Sequence, residues 1–387
     1  MALTAAPKAR RRLVVPIAIV LLVIVTAAMI GGLKVHARAI AKNAQRARYP
    51  VSRQVLVFQE SIVKRLKPAP TLAALQYAYV ASAYNDALIV GGQSAAVATA
   101  GSTLDMIYPT EAGAIDMAMI GIRETNQLDN KVAAVASILQ TYAQRYANDG
   151  HTLAWNGVIP KGPGKWVQLS NVSPLTPRAG DWQRWNVTSA ISVPAPPVYG
   201  SAEDQRQIAI VSQAASNRTG EDVNLINFWG GTPGSETPAG IWQNQLYTTV
   251  KADLPATVVS ADMKYALLQK YTAQTLSDAF MECWKVKYTY WTARPSMRLP
   301  GLVTTMNNPN FPGYISGHST ISKAAADVLS ITAPKHAAAW ESMAAAARLS
   351  RLKAGIHFDV DNAVGFDVGT AVAKQTANKL QLQPVLQ

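Results

Sequence analysis

The stretch from Val55 to Asn148 narrows the fold more than any other part of the chain. It is a succession of segments whose apolar residues recur with the period of a helix, parted by only a few residues. Val55 to Leu66 reads as one helix, stopped by Pro68 and Pro70, and Thr71 is placed to cap a second, Leu72 to Val90, which Gly91-Gly92 ends. Ser94 to Tyr108, Glu111 to Ile122 and Leu128 to Asn148 follow, the last ending at Asp149-Gly150. Helices joined by such short connections pack antiparallel, so the spacing predicts an all-α helical bundle. Composition agrees: 49% of the residues are apolar and 15% charged, which suits a globular chain. Its 387 residues suffice for a large core.

Residues 151–245 change character. Six Trp and many Pro and Gly, including Pro160, Pro163 and the run Pro194 to Pro197, exclude long helices. We read this part as ordered, irregular cover with one helix, Glu203 to Ser216, most of the Trp stapling loops onto the bundle. Helices resume at Ala261 to Ser277 and Asp278 to Ala293. A further one runs from Ser319 to Ile331, then one capped by Thr332 and ending near Lys353, before Gly355. A last helix, Gly369 to Leu380, closes the domain.

The net charge of +13 is concentrated at one end: residues 1–48 hold nine Lys or Arg and no acid, leaving +4 for the rest. No basic stripe with interleaved aromatics remains, so nucleic acid is not an expected partner. Leu13 to Leu33 is a 21-residue uncharged run behind Lys8 and Arg10-Arg11-Arg12. That length suits a signal-anchor helix in the membrane, with a cleaved signal peptide as the alternative. The expected organisation is therefore residues 1–34 as anchor or signal, 35–50 as basic connector and 51–387 as a catalytic domain outside the cytoplasm. Basic residues flank the apolar run on both sides, so charge alone leaves its orientation open. A single cysteine, Cys283, excludes an intramolecular disulfide, and a buried, inert thiol is expected. His36, His151 and His336 are read as surface or loop residues.

Three groups of residues between Lys287 and Asp361 carry chemistry. Lys287 and Arg294 stand seven apart, two helical turns, with Trp284 and Trp291 on the same stripe. Ser316-Gly317-His318 opens a helical run, so Ser316 can cap it, and its free N–H groups attract an anion that the absence of a Cβ at Gly317 lets approach. Ser350-Arg351 precedes His357, and Asp361 stands four residues on, placed to orient the imidazole. Cations, a hydroxyl and two imidazoles suit a tetrahedral oxyanion.

In this order, K-x6-R-P, S-G-H and S-R-x5-H-x3-D, the residues resemble the vanadium haloperoxidase and type 2 phosphatidic acid phosphatase superfamily. The resemblance implies that Lys287, Arg294, Ser316, Gly317 and Arg351 hold the oxygens of vanadate or phosphate. It further implies that His357 is the residue bonded to the metal, or phosphorylated in the phosphatases, and that His318 is the acid–base histidine. The usual Pro before Ser-Gly-His is Ile315 here. Trp284 and Phe311, expected walls of the site, and the block from Phe311 to His318 resemble the haloperoxidase branch. A looser likeness to bacterial haloperoxidase-like proteins runs from about Leu72 to the C-terminus. The expected activity is vanadate-dependent oxidation of halide by hydrogen peroxide to hypohalous acid, with Lys287 polarising the peroxide oxygen. A phosphomonoesterase with a phosphohistidine at His357 is the alternative, and an inactive anchored binding protein a third. No pattern points to an organic acceptor or a preferred halide.

Overall fold

The computed structural model describes residues 49–168 and 171–387, and from Tyr49 onward the chain forms one compact unit. The run 13–33, its basic flanks and His36 lie outside the described residues. Among the described residues no strand forms; only isolated bridges occur, such as Lys165 with Thr292.

The bundle is built around one long helix, and the elements are named here in chain order. Helix α1 is Val51–Leu66 and α2 is Pro70–Ile107. Helices α3, Ala112–Asn126, and α4, Ala136–Asn148, complete the N-terminal half. Then come α5, Ala202–Ser216, α6, Gly220–Phe228, and α7, Thr237–Val250. Helix α8, Val258–Tyr290, has 33 residues and is about 50 Å long. The C-terminal part is α9, Gly317–Thr332, α10, Ala337–Lys353, and α11, Asp359–Leu380.

Helix α8 is buried nearly all round from Thr272 to Lys287, which makes it the axis of the bundle rather than an amphipathic flank. It packs against α2 and α1 on one side and α9 and α11 on another. Two buried carboxylates on it gather distant chain. Asp262 accepts from the Ser52 backbone and hydroxyl, Tyr84 and Gln93, joining α1, α2 and α8. Asp278 accepts from the backbone N–H groups of Trp185, Asn186 and Val187, which pins the cover onto the bundle. Trp166, Trp182, Trp185, Trp229 and Trp242 are buried, as stapling requires.

Several local expectations are corrected. Thr71 does not cap α2: Ala69 does, Pro70 takes the first helical position, and the Thr71 hydroxyl meets that of Thr176 at 2.8 Å. The break at Gly91-Gly92 is a kink within α2, where Gly92 takes φ 71°. By length and composition α2 could cross a membrane, but more than half of its apolar window is buried, as in a core helix. Residues 128–135 are not helical, because side chains elsewhere take their N–H groups: Ser94 bonds Asp129 and Thr99 bonds Val135. Residues 151–245 hold α6 and α7 in addition to α5. Residues 261–293 are not two helices: α8 runs unbroken through Ser277 and stops at Tyr290. Thr332 ends α9 rather than capping α10, its hydroxyl bonding the Val328 carbonyl. Helix α11 begins at Asp359, ten residues before the expected start.

Candidate active site

Lys287 occupies the last turn of α8, which ends where Trp291 turns left-handed at φ 52°. Arg294 is therefore not on the same helix face as Lys287, as the seven-residue spacing had predicted. It is reached through a link, Trp291 to Ala293, clamped from both sides. The cover bonds one side (Trp166 N to Trp291 O, Ala293 N to Gly164 O), and Gly313 N bonds Thr292 O on the other. Glycine at 313 eases that approach, since a Cβ there would crowd the Ala293 carbonyl at 3.0 Å. The stripe prediction for Trp291 fails for the same reason: its ring lies with Tyr288, Trp155 and Trp166.

From the far end of this link the Arg294 side chain turns inward. It donates to the Phe311 and Ile356 carbonyls, and its Nη1 lies 2.9 Å from His357 Nε2. Lys287 Nζ donates to the carbonyls of Pro312 and Gly313 at 2.9 and 2.6 Å. Arg351, at the end of α10, donates to the Ser350 hydroxyl, the Ile226 carbonyl and Met306 Sδ. Gly355, at φ 72°, then reverses the chain so that His357 returns toward Arg294.

Ser316 caps α9 as expected, accepting from the Ser319 N–H. Gly317 is the first helical residue; a Cβ there would stand 3.4 Å from the Trp284 ring. The N–H groups of this first turn lack intrahelical acceptors and point at the space before the helix. His357 lies just before α11, and Asp361 in its first turn accepts from His357 Nδ1 at 2.9 Å and from Phe358 N. Because a carboxylate accepts, Nδ1 carries the proton and Nε2 keeps its lone pair, on the side of Arg294. His318 donates from Nε2 to the Trp229 carbonyl at 2.7 Å, which leaves its lone pair on Nδ1.

Lys287, Arg294 and Arg351 are fully buried, and among the described residues none forms an ion pair with a carboxylate. Burial pushes Lys287 down to about 7, Arg294 to about 10 and Arg351 to about 9. Burial and the Arg294 and Lys287 charges hold His357 well below the usual imidazole range. Burial and Arg351 do the same to His318. Burial raises Asp361, against the pull of Lys287 and Arg294. Three buried cations facing one carboxylate already committed to His357 form a site short of negative charge.

Trp284 and Phe311 flank this site, their ring centroids 4.7 Å apart. Lys287 Nζ lies 5.8 and 5.3 Å from the two rings, and the Arg294 guanidinium 5.1 Å from Phe311. The Trp284 Nε1–H points away, to the Leu175 carbonyl. Cys283 is buried, its Sγ on the Ile315 carbonyl, and burial raises its pKa. Of the other histidines, His151 is held by Asp149 and stacks on Tyr146, and His336 meets Asp253. All the site residues named from sequence come to one place except Trp291. Sequence reading missed α6, whose Ile226 carbonyl orients Arg351 and whose C-capping residue, Trp229, offers the carbonyl that orients His318. Its signal was present: Thr219 and Asp222 form a capping box.

The donor set fits a phosphate- or vanadate-like oxyanion, since buried guanidinium and ammonium groups without carboxylate partners need an anion to offset them. No family model matches the sequence, and no curated protein does. Solved structures do. One is described as the first bacterial vanadium-dependent iodoperoxidase: TM-score 0.66, 18% identity, 87% of this chain and 97% of that one covered. A holo-type bacterial vanadium-dependent chloroperoxidase matches at TM-score 0.63 and 11% identity, covering 83% of this chain and 97% of that one. Its apo-type counterpart matches at 0.63 and 12%, covering 81% and 95%. At such identities the likeness is one of architecture, and it covers 81–87% of this chain. The chain therefore has the all-helical fold of the vanadium-dependent haloperoxidases.

Proposed function

We propose that this site binds vanadate and oxidises halide with hydrogen peroxide to hypohalous acid. The observation that carries the reading is the convergence of Lys287, Arg294 and Arg351, buried without carboxylate partners, on the side of His357 where unprotonated Nε2 keeps its lone pair, which accepts from Arg294 Nη1 at 2.9 Å. In this reading Lys287, Arg294, Arg351, the Ser316 hydroxyl and the Gly317 N–H hold the oxygens, and His357 Nε2 is the protein bond to the metal. Vanadate, when bound, supplies Lewis-acid activation of peroxide without a change of oxidation state.

The chain's own residues do the rest. Asp361 fixes the His357 tautomer and keeps Nε2 unprotonated. His318, with its proton on Nε2, offers Nδ1 as base for a peroxide proton and later returns it. Burial, and after it the Arg351, Lys287 and Arg294 charges, hold His318 well below the usual imidazole range; an oxyanion offsets the charge part, so occupancy moves the residue toward greater basicity. Lys287, aimed into the site between two carbonyls, is the donor placed to polarise a peroxide oxygen. Trp284 and Phe311 exclude water on that side. The reaction belongs outside the cytoplasm, with the segment 13–33 as membrane anchor or signal.

The test takes the full chain, strips bound anion, restores orthovanadate and measures bromination of monochlorodimedone with peroxide and bromide. Vanadate-dependent bromination that is lost in His357→Ala is the expected result. Hydrolysis of p-nitrophenyl phosphate, inhibited by vanadate and without bromination, would instead make His357 a phosphate-accepting nucleophile and the protein a phosphatase.

A further inference from the structure

Among the partners of Arg351 is a sulfur. Arg351 Nη1 donates to Met306 Sδ at 3.2 Å, across a separation of 45 residues. Met306 lies in the irregular segment before α9, half-buried, packed on Ile226, Ala354 and Ile356. Two of these neighbours belong to the cation site: the Ile226 carbonyl takes Arg351 Nη2, and the Ile356 carbonyl takes Arg294 Nη1. Met306 is thus at the edge of the cluster and, as a residue, only half-buried. A thioether is a soft nucleophile that hypohalous acid oxidises to sulfoxide. The nearby thiol, Cys283, is no competitor, being buried and held protonated.

We propose that Met306 is a built-in oxidation site, converted to its sulfoxide by hypohalous acid formed at the neighbouring cluster; the inference rests on the peroxidase reading. The sulfur lone pair attacks the halogen and hydroxide leaves. Water then adds at sulfur, with loss of halide and two protons. Over the two steps the thioether loses two electrons and gains one oxygen, and the halogen gains two electrons and departs as halide. The new sulfoxide oxygen stands against Arg351, where it is a stronger acceptor for Nη1 than the thioether was.

Position, not exposure, separates Met306 from the exposed methionines; Met297, whose Sδ accepts from the Arg294 backbone N–H at 3.5 Å, borders the backbone of the cluster, whereas Met306 meets the Arg351 guanidinium itself. Met117 in α3 is 70% exposed, and Met263, near the start of α8, is 49% exposed. Met263 lies about 36 Å along the helix from Lys287. Oxidant made at the cluster meets Met306 and Met297 before Met117 and Met263, whereas oxidant added to the solution meets Met117 and Met263 first.

The experiment follows methionine oxidation by peptide mass spectrometry in the full-length protein, loaded with orthovanadate and turning over peroxide and bromide, with monochlorodimedone bromination measured in parallel. The expected result is Met306 sulfoxide accumulating with turnover and exceeding that at Met117 and Met263 by at least about fivefold. Hypobromous acid added to the resting protein should reverse that order. Bromination without preferential oxidation of Met306 overturns this inference and leaves the peroxidase reading intact. Equal Met306 oxidation by peroxide without bromide also overturns it. Absence of vanadate-dependent bromination overturns both.

Discussion

Lys287 holds its ammonium on two carbonyl oxygens inside the bundle, a place where charge is costly, and burial pulls it down to about 7. In the anion-free protein the folded state binds fewer protons than the unfolded chain between about 7 and the ordinary lysine value of 10.5. The stability owed to this residue therefore rises with pH across that window and is lost as pH falls through about 7. Binding a vanadate or phosphate ion favours the charged form. Above pH about 7 binding should then take up a proton and weaken as pH rises, which calorimetric titration in buffers of different ionisation enthalpy reads directly. Asp361→Asn tests the other side of the site. It removes the charge that fixes the His357 tautomer, and vanadate affinity should fall about 10–100-fold while the circular dichroism stays unchanged. At this scale much was legible: Ser316 as cap and Asp361 as partner of His357 follow from residue type and spacing alone. The carbonyls that orient the cations, those of Phe311, Pro312, Gly313, Ile226 and Ile356, were not, because any residue offers a carbonyl and only the fold selects which.

The element that delivers Ser316, Gly317 and His318 is α9, and it is pressed hard against α11. A Cβ at Gly369 would stand 2.4 Å from the Thr320 carbonyl and 3.0 Å from the Ala324 nitrogen, and one at Gly365 3.0 Å from the Ser316 carbonyl. Neither contact can be relieved by a side-chain rotation. Gly369→Ala should cost ~1–3 kcal/mol in denaturant unfolding and also weaken anion binding, because α9 must shift. An unchanged vanadate affinity in that variant would mean that the crossing holds the fold but not the site. The helical class of the chain was readable from periodicity, since long apolar repeats have few other uses. The ends of elements were not. The sequence continues in a helical manner past Tyr290, and only Pro295 marks the extended residue before it. Residues 128–135 keep a helical pattern that tertiary hydrogen bonds from Ser94 and Thr99 override. Helix α6 is nine residues long, too short for periodicity to show.

For the molecule as a whole, an anion at the site replaces mutual repulsion among three buried cations with attraction. Adding orthovanadate or phosphate should therefore raise the melting temperature, with a gain of about 2.7 kcal/mol at a hundredfold excess over Kd. Lys287→Met should give an anion-free protein at least as stable as the parent at neutral pH, because a buried charge has gone, and should diminish the vanadate-induced rise. A differential scanning experiment with and without vanadate checks both. The order of the helices has a further consequence, in time rather than in space. Lys287 is translated about 4–14 s before His357 at ordinary elongation rates, and α11 comes last. While the chain is being made, α1 to α8 can assemble with Lys287 still in water, and the charged pocket closes only when the final helices dock. A nascent chain arrested between Lys353 and Asp359 would thus hold most of the bundle and none of the anion affinity.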